Sequence, residues 1–146
     1  MDEISRLQQY LPLIRACAGW TAATLAEKLG VKRQTVSTIE QGEDKYKMTR
    51  MQYLAIRRVF DEEINSAKDE TQMLYTVIDA LVDHPDDKYT DDERTEILSN
   101  AKLLAPSIVK HPSERKTATN AWKTILSASG VVVSVALLAV LKRNKK

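Results

Sequence analysis

Very little in this sequence breaks a helix. Glycine and proline occur four times each in 146 residues, and the alternating β-branched runs that mark strands are missing. What remains is an all-α fold. Cys17 is the one cysteine, which excludes an intramolecular disulfide and fits a reducing cytoplasm. With no histidine near it in sequence, it reads as a small core residue rather than a reactive thiol. The opening stretch MDEISRLQQY is charged and polar, so no cleaved secretory signal is expected. The chain also lacks a nucleophile–base pair, a Gly-rich phosphate loop and a metal-spaced Cys/His set. An enzyme is therefore not expected, nor a catalytic residue, a metal, a cofactor or a small-molecule substrate.

Charge is present but segregated behind a net +2. Residues 1–60 hold ten basic and six acidic side chains, residues 61–104 four and thirteen, and residues 105–146 eight and one. A basic head fits an anionic partner such as nucleic acid. An acidic middle does not. A basic stretch around an apolar run fits anionic lipid headgroups.

Within the head, WTAATLAEKLGVKRQTVSTIEQG reads as two short helices and a turn. Thr21 is placed to cap the first, whose apolar side is Leu25, Ala26 and Leu29. Gly30 can take positive φ and turn the chain sharply, with Val31 as the apolar residue of the turn. A second helix runs from about Lys32 to Gln41, with Val36 and Ile39 inward and Arg33, Gln34, Ser37 and Thr38 elsewhere. Small Ala26 permits close crossing of the two helices. Leu11, Leu13, Ile14 and Ala18 are read as the core of an earlier helix, and Met51, Leu54, Ala55, Val59 and Phe60 as the core of a later one.

The stretch LAEKLGVKRQTVSTIEQG resembles the Cro/CI-type (XRE) helix-turn-helix family, with Leu25, Ala26, Gly30, Val31, Val36, Ile39 and Glu40-Gln41-Gly42 in register. The resemblance covers about Leu7 to Ile64 and implies a five-helix domain whose third helix enters the major groove of double-stranded DNA. It implies base contacts from Lys32, Arg33, Gln34, Ser37 and Thr38; Arg suits guanine and Gln suits adenine because each can bond bidentately. Phosphate contacts are expected from Thr21, Lys45, Lys47 and Arg50. Arg15 and Glu40 are expected to form a structural ion pair. Two positions depart from the family's usual pattern. Ala22 stands where many members carry Gln, and Lys32 where many carry Ser or Thr, whose cap is worth about 1 kcal/mol.

Beyond the head, Ile64, Ala67, Thr71, Leu74, Ile78 and Leu81 recur at spacings of three and four. They predict one helix from Asp61 to about Val82 with a heptad seam, able to pair two copies as a homodimer. In DHPDDKYTDDE, Pro85 ends that helix, and Thr90 to Glu93 form a capping box for the next. His84, Asp83, Asp86 and Asp87 read as a solvated loop rather than a metal site. The next helix carries Ile97, Leu98, Ala101 and Leu104 and is expected to stop near Pro106. The divisions are thus a head over 1–64, an acidic helical connector over 65–105 and a basic linker over 106–121.

No charge falls between Lys123 and Lys142, so residues 122–141 form an apolar run of bilayer length. Trp122 sits where an interfacial aromatic belongs, and residues 142–146 make a basic tail. This predicts a transmembrane helix and a single-pass protein on the cytoplasmic side of the cell membrane, N-terminus inside. Together with the family resemblance, the expectation is a membrane-tethered, sequence-specific transcription regulator. Two alternatives stand beside it. One is a membrane-anchored adaptor whose helix-turn-helix head binds protein. The other is a soluble phage-type repressor or antitoxin with an oligomerising C-terminal helix.

Overall fold

Side chains that accept otherwise unpaired amides decide where several of the helices begin. Asp2 accepts from the Ser5 amide at 2.8 Å, and Thr21 from the Thr24 amide at 3.1 Å. Thr49 with Gln52, and Thr90 with Glu93, form reciprocal capping boxes. The computed structural model describes residues 1–128. Seven α-helices run through them: α1 Glu3–Cys17, α2 Ala22–Leu29, α3 Arg33–Glu40, α4 Arg50–Ser66, α5 Gln72–Ile78, α6 Asp91–Lys110 and α7 Arg115–Ala128. A π-helical turn, Asp79–Asp83, extends α5, and a 3-10 turn, Pro112–Glu114, precedes α7. The described residues are all-helical and contain no strand.

One continuous core runs through these elements. α1 lies at its centre, against α3, α5 and α6, while α2 packs on α3 and α4, and α7 on α5 and α6. Leu7, Leu11 and Ile14 of α1 are fully buried, as are Leu74 and Val77 of α5, Ile97 and Ile108 of α6, and Trp122 and Leu126 of α7. Each such side chain contributes roughly 1.5–3 kcal/mol by leaving water.

Several expectations are corrected. Residues 1–64 contain four helices, not five; α5 lies further on. The single helix expected from Asp61 to Val82 is broken between α4 and α5. Ala67 leaves helical geometry at φ −138°, ψ 57°, and the Thr71 hydroxyl donates to the Ala67 carbonyl at 2.8 Å. The seam does not face outward: Ile64, Thr71, Leu74, Ile78 and Leu81 are all buried within the chain. It is therefore not free to zip two copies together.

Residues 106–121 are not a linker. α6 continues through Pro106 to Lys110. An interior proline costs a helix about 3 kcal/mol, and burial of Ala105 and Ile108 on either side of Pro106 offsets it. Ile108 packs at Gly19, where an added Cβ would sit 3.2 Å from Ile108 Cγ2 on a backbone at φ +84°.

The membrane expectation is corrected too. Trp122 is not an interfacial aromatic but a fully buried core residue, on one stripe of α7 with Arg115, Thr119 and Leu126. Lys116, Asn120, Thr124 and Ser127 make the opposite, exposed face. Among the described residues no helix is long and apolar enough to cross a membrane. The prediction of a single-pass protein held at the membrane by residues 122–141 is overturned on that finding. Residues 129–141 of that expected span, and the basic tail 142–146, lie outside the described residues.

Candidate nucleic-acid interface

The turn between α2 and α3 is built around Gly30, which adopts φ 72°, ψ 30°, a left-handed conformation that a side chain would strain. Leu25 and Ala26 from α2 and Val36 and Ile39 from α3 are buried against each other and the rest of the core. Ala26 is the small residue at this crossing. Val31, expected inside the turn, is instead 41% exposed.

A guanidinium pins the far end of α3. Arg15 donates from Nε to Glu40 Oε2 at 2.6 Å and from Nη2 to Glu40 Oε1 at 2.9 Å. Its Nη1 donates to the Trp20 carbonyl at 3.2 Å. One side chain thus ties α1, the α1–α2 connector and α3, with bidentate geometry that fixes angle as well as distance. The indole of Trp20 stacks on Phe60 with ring centroids 5.2 Å apart, and the Lys28 ammonium lies 4.8 Å above the Trp20 ring.

The face of α3 opposite Val36 and Ile39 carries Arg33, Gln34, Ser37 and Thr38. Lys32, Arg33 and Gln34 are exposed, and Ser37 and Thr38 half-buried. Within the described residues none of these five side chains is held by a hydrogen bond or ion pair. Lys32 occupies the cap position of α3 and makes no side-chain capping bond. Thr21 is exposed at the start of α2, its hydroxyl engaged by the Thr24 amide. Lys45, Lys47 and Arg50 are exposed in the following loop and first turn of α4. Across residues 32–50 those two lysines and Arg50, with Lys32 and Arg33, face only Glu43 and Asp44, because Glu40 is neutralised by Arg15.

Gln8 is the residue that reading the sequence missed. It is buried in α1, and its Nε2 donates to the Ile39 carbonyl at 2.9 Å and to the Tyr46 carbonyl. Its Oε1 accepts from the Met48 amide at 3.0 Å. This one amide fixes the end of α3 and both sides of the basic loop to α1. The signal was a polar residue inside the Leu7–Leu11–Ile14 stripe, where solvation is unavailable and backbone partners must be.

Residues 14–55 match the helix-turn-helix family model, a family of DNA-binding regulators of Cro/CI type. The match begins in α1, takes in α2, the Gly30 turn and α3, and ends in α4. No curated protein and no solved structure matches the chain.

Proposed function

We propose that this chain is a sequence-specific transcription regulator that reads double-stranded DNA with α3. The observation that carries the proposal is the outer face of α3. Its long donors are exposed and unengaged, while its inner face and its end are held by the core, Arg15 and Gln8. Such a helix, rigid behind and unsatisfied in front, can enter a major groove without paying to order itself.

In this reading Arg33 bonds guanine O6 and N7, and Gln34 bonds adenine N6 and N7. Ser37 and Thr38 contact bases one turn further along, and Lys32 reaches the groove edge at the helix start. Thr21, Lys45, Lys47 and Arg50 meet phosphates and set register. The Arg15–Glu40 pair acts behind the interface and touches no base. An eight-residue helix spans too few base pairs to specify a site alone, so two copies are expected on a target.

The test is selection of duplexes from a randomised pool by the full chain, repeated with single variants. Arg33→Ala and Gln34→Ala should each relax preference at one position, by about 1–3 kcal/mol. Lys45→Ala and Lys47→Ala should weaken all sequences alike and lower the salt slope by about 1. Failure to enrich any motif would sink the proposal.

A further inference from the structure

α4 has two faces. Ile56, Phe60 and Ile64 form the buried one. On the opposite side Met51, Leu54, Ala55, Arg58 and Glu62 follow one another at spacings of three, one, three and four, a single exposed stripe. Met51 is 80% and Leu54 55% exposed. Arg58 and Glu62 pair at 3.0 Å along the stripe, yet their side chains remain 80% and 65% exposed.

We propose that this stripe is the contact surface between two copies of the chain. The argument is charge complementarity. The stripe is flanked by Arg50 at its start and by Asp61 and Glu62 at its end, so its two ends differ in sign. A surface of that kind complements itself when run antiparallel, and a two-fold axis imposes that arrangement. With the axis between Leu54 and Ala55, the apolar centres meet. Met51 then lies along the methylene stem of the partner's Arg58, and the basic start of each helix faces the acidic end of the other. A partner of uniform charge, such as nucleic acid or an anionic lipid surface, would set like charges against one end. The stripe also takes the role expected of the 64–81 seam, which the fold buries. One helix face is small for an interface, below about 1,200 Å². The association is therefore weak in solution and tightens when DNA holds two copies side by side. This deepens the DNA-reading proposal and rests on it for the second arm of the test.

The first arm uses the full chain without DNA. Under mild oxidation Leu54→Cys should give a disulfide-linked dimer, whereas Leu103→Cys, an equally accessible position on α6, should not. Leu54→Glu should weaken self-association in sedimentation by about tenfold or more. No cross-link at position 54, equal cross-linking at 103, or unchanged sedimentation of Leu54→Glu would each overturn the proposal and leave the stripe to a different protein. In the second arm Leu54→Glu should keep its affinity for half of a selected duplex and lose cooperativity on the whole of it. Retained cooperativity would count against the interface. Absence of any selected duplex would count against DNA reading alone, because the first arm does not depend on it.

Discussion

Burial takes Cys17 out of ordinary thiol chemistry. The side chain is 2% exposed, and desolvation of the thiolate pushes its pKa up to about 12 from 9.0. Because the folded value is the higher one, the stability this group contributes is complete below pH 9 and is lost as pH climbs toward 12. Wild type and Cys17→Ala should therefore differ by a constant amount in chemical denaturation below pH 9, and the wild-type advantage should shrink above it. The core role of Cys17 was legible because a lone cysteine on an apolar helix face has few other uses. Gln8 was not legible, because its partners are the carbonyls of Ile39 and Tyr46 and the amide of Met48, all more than thirty residues away.

At the scale of elements, α3 trades stability for charge at its first position. Lys32 stands at the cap without a capping bond. Lys32→Thr should supply the missing acceptor and stabilise the chain by about 1 kcal/mol, read as a higher denaturation midpoint. The same change should weaken DNA binding and reduce its salt slope, since it removes a positive charge from the groove edge. The helix-turn-helix could be read from sequence because Gly30, Ala26 and the Val36–Ile39 spacing are each demanded locally. α4 was read on the wrong side: Met51, Leu54 and Ala55 were taken as core, yet they oppose the buried Ile56–Phe60–Ile64 stripe. Both stripes have helical spacing, and only the tertiary packing distinguishes them. The 64–81 seam carries the same lesson. Its periodicity foretold burial, but periodicity does not say whether the covering surface belongs to another copy or to α1 and α6.

Over the whole molecule, part of the charge segregation resolves inside the chain. Arg115, from the basic stretch, is buried and donates to Glu63 at 2.6 Å and to the Ala18 carbonyl at 3.0 Å, and it lies 3.4 Å from Glu70. Lys116 pairs with Asp69 at 3.3 Å. The basic stretch read from sequence as suited to lipid headgroups thus folds onto the acidic one, and Arg115 clamps α7 to the α1–α2 connector that also carries Trp20. Arg115→Ala leaves Glu63 without its cation in a half-buried site. It should cost about 3 kcal/mol in chemical denaturation, and Glu63→Gln combined with it should cost less than the two changes added. The same reversal explains why Trp122 misled: an aromatic beside an apolar run looks the same in sequence whether lipid or protein covers it.

The central claim is that the outer face of α3 reads DNA, and equilibrium binding of the full chain to its selected duplex tests it most directly. Wild type, Arg33→Ala and Gln34→Ala should be titrated at several salt concentrations beside a scrambled duplex. The account predicts clear preference of wild type for the selected duplex. It predicts an affinity that falls steeply and log-linearly with salt, and loss of preference in both variants. Equal affinity for the scrambled duplex, or variants indistinguishable from wild type, would contradict it.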